Sequence, residues 1–461
     1  MIRAIIPITL LATIAGSAAL AGQASPQRVP QQPAPATAAN DDFVVTERLG
    51  SKDLARFPKT FGLFTDYINS NKIPGVVGAF GQGQTPTAIV ASGKLGDEPG
   101  APRVDKDSLW RVYSMTKPIT AMAAMMLVED GKIRLDQPVS DFIPAFKNMR
   151  VQISADSLES RPATKPITIR NLLTHTAGLG YTIITKGPLL KAYEEAGITP
   201  FTSDAKTEAQ NRLRRPASLK AFADKVATLP LIAEPGTKWS YSIGLDVMGR
   251  VIEVASKQPF DTFLQRRIFT PLKMRSSYFT VPGSDAHRLA TGYFITGATT
   301  RVPLDPGATS VYLKPPTFPY GGAGLVTSAS DYDRFLHMLQ NGGTLDGVRV
   351  MKTATVKLAM SNLLPKGVSY GGAVAATGGT TTAQGFGAGG SVVINSTPGG
   401  PAKGTYGWGG AAGTIAWVDP VNQARATIMV NYLPGDKWPL RPESTKTIYA
   451  DFAAAPVRRT K

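Results

Sequence analysis

The sequence predicts an α+β protein: one antiparallel sheet, split along the chain and flanked by N- and C-terminal helices, with a mostly helical domain inserted between its halves. Three observations carry this. Short β-rich runs stand near the start, a long middle stretch has helical periodicity broken by Gly and Pro, and β-rich runs return near the end. With 461 residues, 43% of them hydrophobic, the chain is long enough to bury a large core.

Residues 1–24 combine one early positive charge, an apolar run and small residues at Ala19-Leu20-Ala21 and Gly22-Gln23-Ala24, the layout of a secretory signal cleaved at or near Ala21 or Ala24. A membrane anchor is the alternative, but the apolar run is short against the ~20 residues of a bilayer span. Gln23 also stands where a lipid anchor would need a cysteine. The expectation is a periplasmic or secreted protein with no stable membrane anchor. Residues 25–42 form a Pro/Ala/Gln-rich spacer that cannot build a core.

The sheet domain is expected over 43–110 and 320–461. Residues 51–71 read as a helix, and "GVVGAF" and "TAIVAS" as a hairpin across the Gly/Gln/Pro stretch at 81–86. The helical domain, 111–319, contains "ITAMAAMMLVEDGKI", "TIRNLLTHT", "PLLKAYEEAGI", "SLKAFADKVATLP" and "LDVMGRVIEVAS". "SASDYDRFLHMLQNGG" adds a helix capped by Ser328 or Ser330 and closed by Gly342-Gly343. Strands return with "GSVVIN", "GTIAWVD" and "ARATIMVNY", before a closing helix from Pro442 to Ala454.

Zero cysteines exclude disulfides, thiolate catalysis and cysteine-ligated metals. The net charge of +17 invites a nucleic-acid partner, yet the basic residues are spread out. Their densest patch, Lys206 to Lys225, is interleaved with Asp204, Glu208 and Asp224, so it reads as solvated surface and no nucleic acid is expected.

The chemistry centres on "RVYSMTKPIT", residues 111–120. Proline is tolerated in the first helical turn, so Pro118 places Ser114 close to a helix N-terminus. There the Ser114 N–H has no intrahelical partner and is free to bind an oxyanion. At i,i+3, Ser114 and Lys117 share a face with Cβ atoms ~5–6 Å apart, so the lysine is placed to take the serine proton. A lysine with its reference pKa of ~10.4 is a poor base, and the role requires burial or cationic neighbours. The apolar run after Lys117 supplies burial. Taken alone, S-x-x-K is more often a capped helix start with a surface lysine.

The segment "SLWRVYSMTKPITAMAAMMLVEDGKIRLDQPVSDFIP" resembles the active-site region of the serine β-lactamase-like superfamily, which holds class C β-lactamases, D-alanyl-D-alanine carboxypeptidases and family VIII carboxylesterases. The likeness continues in order through "ITIRNLLTHTAGL", "PGTKWSYSIGLDVMGRVIEVAS", "RIFTPLKM", "GGAGLVTSASDYDRFLHMLQNGG" and "YGWGGAAGT". It implies the β-lactamase/transpeptidase-like fold, with the active site in the cleft between the two domains. It also implies Ser114 as the acylated nucleophile, Lys117 as its partner and Tyr241 as a phenol that shuttles protons. The third motif of the superfamily falls on Trp408-Gly409-Gly410, and the next N–H, of Ala411, is the implied second oxyanion donor beside that of Ser114. Taken alone, Tyr241 is more often a core aromatic and "WGG" a bend where backbones approach closely. His175 invites a Ser-His-Asp reading, but "HTAGL" resembles a structural signature beside the site.

Two departures separate this chain from the β-lactamases and carboxypeptidases. Ile243 stands where an asparagine usually binds the substrate amide, and Trp408 where a lysine helps to hold a carboxylate. Both match family VIII carboxylesterases. The expectation is a secreted serine carboxylic ester hydrolase acting through an acyl-enzyme on a small-molecule ester, with no metal or organic cofactor. Ile243, Trp408, Gly409, Gly410 and Tyr181 are expected to contact substrate. Residues 180–216 are expected to lie over the cleft, with Tyr181, Leu189, Leu190 and Tyr193 setting chain-length preference. A β-lactamase, a D-amino-acid peptidase or amidase, an acyltransferase with the same residues, and a non-hydrolytic cell-wall or antibiotic receptor are the alternatives. Sequence leaves the oligomeric state open.

Overall fold

The computed structural model describes residues 51–199, 203–371 and 383–454. The expected signal and spacer, 1–42, lie outside them. The sheet is split in sequence as the β-rich runs predict. Helix α1 (Pro58–Asn69) leads into strands β1 (Gly75–Gln82) and β2 (Ala88–Gly93), which form a hairpin. From the C-terminal end come β3 (Gln384–Phe386), β4 (Ser391–Val393), β5 (Tyr406–Gly409), β6 (Ile415–Asp419) and β7 (Ala424–Met429). All pair antiparallel in the order β3-β4-β5-β6-β7-β1-β2. The seam between the two halves aligns Val77 with Met429 and Phe80 with Ala426.

Strand residues alternate between two cores, as the period of two dictates. Val76, Phe80, Ile415, Trp417 and Ile428 join Phe57 and Phe64 of the N-terminal segment and Ile448 and Phe452 of α5 (Leu440–Ala454). Trp417 stacks on Tyr449 with ring centroids 4.9 Å apart. Val77, Ala79, Ala416, Val418 and Met429 face the other way, into a larger core shared with the inserted helices. At the centre of that core runs α2 (Thr116–Glu129), where every residue from Thr116 to Leu127 is buried. An apolar surface on all sides is what a fully enclosed helix requires. Against it packs α3 (Gly244–Ser256), while α4 (Ala329–Gln340) lies on the strands β7, β1 and β6. The Ser328 hydroxyl caps α4 by accepting from Asp331 N–H, and Gly342 and Gly343 take positive φ after its end.

The insertion is less purely helical than its periodicity suggests. Arg150–Gln152 pairs with Ser160–Pro162, and Gly292–Ile295 pairs with both Arg301–Asp305 and Tyr432–Leu433. The last pairing ties the insertion to the C-terminal segment, and all described residues belong to one compact unit. A helix at Ala205–Arg212 also escaped the periodicity, because it is polar on every side. There Arg212 and the buried Arg215 pair with Glu208, and Lys220 with Asp224, so part of the basic patch is paired charge. No helix among the described residues is long and apolar enough to cross a membrane.

Candidate active site

The strand Leu109–Arg111 carries the chain to Ser114 and is fixed by a buried ion pair. Arg111 Nε donates to Asp305 Oδ2 at 2.6 Å and Nη2 to Ser310 Oγ at 2.9 Å, while Asn431 bonds the Arg111 backbone on both sides. Two residues on, Tyr113 has a φ of +41°, an outlier for a bulky aromatic. Strain of this kind persists only where the surroundings over-determine it. Here it turns the chain sharply into the short 3-10 turn Tyr113–Met115, from which α2 continues. Tyr332 Oη donates to Met115 O at 2.9 Å, and Thr116 Oγ1 accepts from Leu325 N–H at 3.1 Å, so the turn is held from both sides.

Ser114, Lys117 and Tyr241 meet at this turn. Tyr241 O–H donates to Ser114 Oγ at 2.6 Å, and Lys117 Nζ reaches the same oxygen at 3.3 Å. Lys117 is wholly buried, and its shorter bond, 2.7 Å, goes to Gly322 O. Its ammonium also lies 4.6 Å above the Tyr241 ring and 5.4 Å above that of Tyr181, within cation–π range. Gly322 N–H in turn donates to Asp246 Oδ1 at 2.8 Å. Asp246 sits in the first turn of α3, fully buried, and desolvation pushes its carboxyl up to about 7 against the pull of the Lys117 charge.

His175 lies beside Tyr241, ring centroids 4.8 Å apart, with a φ of +55°. Its Nδ1 accepts from Ser242 N–H at 3.2 Å and lies 2.9 Å from Ser242 Oγ, while Nε2 has no partner among the described residues. Burial, reinforced by the Lys117 charge, holds the imidazole well below its ordinary pKa. It is thus a neutral ring that orients the tyrosine segment, and it makes no bond to Ser114.

The third motif forms the opposite wall. β5 ends at Gly409, and a Cβ on Gly410 would come within 2.4 Å of Val112 O and 2.2 Å of Thr414 Oγ1. The strand end therefore presses directly on the chain before Ser114, an approach only glycine allows. Ala411 follows at the turn, lining the same cleft as Ser114. Arg441, at the start of α5, donates to the carbonyl oxygens of Gly410, Gly413 and Thr414 and so ties that turn down.

Ser114 and Tyr241 open into a cleft of about 620 Å³. Trp408, Trp239 and Tyr370 give it an aromatic wall, Ile183 and Ile184 an aliphatic one, and Asp436 and Lys238 add charge. Trp408 Nε1 stands 3.5 Å from Tyr241 Oη, a long contact. Tyr181 is buried behind Tyr241, with ring centroids 5.4 Å apart, so it supports the tyrosine and does not line the cleft. Ile243 departs further from expectation: it is completely buried ahead of α3 and forms no part of the cleft lining. Within 180–216 the cleft is lined by Ile183 and Ile184, which are exposed, because Leu189 and Tyr193 turn into the core and Leu190 is half-buried. The sequence reading missed Trp239, Tyr370, Arg441 and Asp246. Of these Asp246 left a signal, as an acidic residue set between the apolar Leu245, Val247 and Met248 at the start of a helix.

A helix-borne serine and lysine, a tyrosine from the insertion and a strand-end glycine pair, set between an antiparallel sheet and a helical insertion, define a serine hydrolase of the β-lactamase fold. A match to the Beta-lactamase family model spans residues 61–446, and the chain belongs to that family. It is 32% identical over 343 residues to the uncharacterized protein MT1414 of Mycobacterium tuberculosis, covering 72% of this chain and 79% of that one. Esterase EstB of Burkholderia gladioli is 32% identical over 269 residues, 54% of this chain and 61% of its own. Among solved structures, EstCE1, a hydrolase with promiscuous acyltransferase activity, superposes with a TM-score of 0.69 at 25% identity, over 87% of this chain and all of its own.

Proposed function

We propose that the protein is a carboxylic ester hydrolase that works through an acyl-enzyme on Ser114. The observation that carries this is the convergence of Tyr241 Oη and Lys117 Nζ on Ser114 Oγ, at 2.6 and 3.3 Å, at the floor of a largely apolar cleft. The serine proton passes to the Lys117–Tyr241 pair as Oγ bonds to the ester carbonyl carbon. The N–H groups of Ser114 and Ala411 receive the oxyanion. The C–O bond to the alcohol then breaks, and Tyr241 protonates the leaving oxygen. Water, activated by the same pair, attacks the acyl carbon, and the acid leaves as Ser114 regains its proton. Trp408 in place of a cation favours apolar ester substrates over carboxylate-bearing peptides and β-lactams. The esterase relatives support the same substrate class. Residues 1–24 have the layout of an export signal, which supports a reaction outside the cytoplasm.

A panel of p-nitrophenyl esters, nitrocefin and D-alanine p-nitroanilide tests this on the wild type and Ser114→Ala. Esters should be the fastest substrates, and the variant should lose roughly 10⁴-fold or more in kcat. Full hydrolysis by Ser114→Ala would refute the mechanism, and a preference for nitrocefin would refute the substrate class. Acyl transfer to an alcohol is a second reading, favoured by the likeness to EstCE1. A butyl ester formed in the presence of 1-butanol faster than free acid would establish it.

A further inference from the structure

Lys117 is a completely buried amine with no carboxylate within ion-pair distance among the described residues. Asp246 is a completely buried carboxylate in the same position: it forms no ion pair, and its Oδ2 has no hydrogen-bond partner among the described residues. An unpartnered buried carboxylate oxygen is expensive to retain, so it calls for a reason. The two groups are joined through one residue. Gly322 N–H donates to Asp246 Oδ1 at 2.8 Å, and Gly322 O accepts from Lys117 Nζ at 2.7 Å. Space at this junction is tight, since a Cβ on Gly322 would lie 2.5 Å from Asp246 Oδ2. Capping or dipole compensation for α3 explains an acidic residue in its first turn, but it explains neither the link to Lys117 nor the empty oxygen.

We propose that Asp246 is a positioning residue for the nucleophile's lysine. Through Gly322 it seats Lys117 Nζ against Ser114, and its carboxylate is the buried counter-charge to Lys117. The inference rests on the role given to Ser114 and Lys117 above. The other groups facing Asp246 are the phenols of Tyr181 and Tyr320, both of which feel its charge, with Arg215 over the Tyr320 ring at 5.4 Å. Burial brings the Asp246 carboxyl up to about 7, so its charge appears within the pH range of an esterase assay.

The test is the pH profile of kcat/KM on p-nitrophenyl butyrate for the wild type, Asp246→Asn and Gly322→Ala. Asparagine keeps an oxygen for Gly322 N–H and removes the charge. With the counter-charge gone, the acid limb should move down by about one pH unit or more. KM should stay unchanged, because Asp246 does not line the cleft. In Gly322→Ala the seat itself is displaced, and kcat should fall at least tenfold with KM retained. An acid limb of Asp246→Asn that coincides with the wild type overturns the counter-charge. Should that variant not fold, wild-type kcat in Gly322→Ala overturns the seat. Ser114→Ala separates the two readings: if it is inactive while the Asp246→Asn limb is unmoved, only the present inference fails.

Discussion

Tyr241→Phe isolates one atom of the site. The ring remains against His175, Tyr181 and Trp408, with centroids 4.8, 5.4 and 5.7 Å away, and Lys117 keeps its place 4.6 Å above it. Only the hydroxyl 2.6 Å from Ser114 Oγ is lost. Stability should drop by about 1 kcal/mol, the net value of one hydrogen bond. Catalysis should drop by ~10²–10⁴, or about 3–5 kcal/mol of barrier, if the phenol serves, as proposed, as general acid and base in both half-reactions. The loss should also depend on the leaving group. A p-nitrophenolate departs without protonation, whereas an alkoxide needs a proton, so ethyl butyrate should suffer at least tenfold more than p-nitrophenyl butyrate. Steady-state kinetics on both esters, with a thermal melt, decide the matter. A loss within threefold on both, or equal losses accompanied by several kcal/mol of destabilisation, would refute the role given to Tyr241.

Two further outcomes follow from the same geometry. Replacing Ile183 and Ile184 together by Asp should depress kcat/KM for p-nitrophenyl hexanoate about tenfold relative to the acetate, since a hexanoyl chain adds four methylenes worth up to ~0.8 kcal/mol each when buried. An unchanged ratio across the acyl series would remove these residues from the acyl site. Arg111→Met leaves Asp305 buried without its partner and should cost ~3–5 kcal/mol in chemical denaturation, with turnover falling only as the folded fraction falls; wild-type stability would show that the pair adds nothing.

Legibility differed by kind of feature. The split sheet and the enclosed α2 were legible because periodicity and Gly/Pro punctuation are local, and Ser114, Lys117 and Tyr241 because their motifs are. Short strands such as Arg150–Gln152 and Gly292–Ile295 were not, since their pairing is set by residues far along the chain. Ile243 shows the limit of motif arithmetic. A position two residues after Tyr241 was assigned to substrate, but the chain there turns into α3 and carries the side chain inward. Ile183 and Ile184 were overlooked in favour of Leu189 and Tyr193, because an apolar residue announces burial and does not say which apolar residue is left outside. Asp246 is the reverse case: its mismatch with its neighbours was visible, but its partner Gly322 was not.

The seam joining β1 to β7, where Val77 meets Met429, also constrains how the protein acquires activity. A helix can form as soon as its own residues exist, but this seam closes a loop containing most of the chain. Contacts of such sequence separation form late and slowly. The glycine-rich strand end at Gly409-Gly410 belongs to the late half, and Ser114 to the early half. A ribosome-bound or truncated chain that stops short of β7 would hold Ser114 and Lys117 at the start of α2, and Tyr241 just ahead of α3, without the docked Gly409-Gly410 strand end to face them. Maturation of the enzyme is then a docking event, and its rate is governed by topology more than by the chemistry of the residues it brings together.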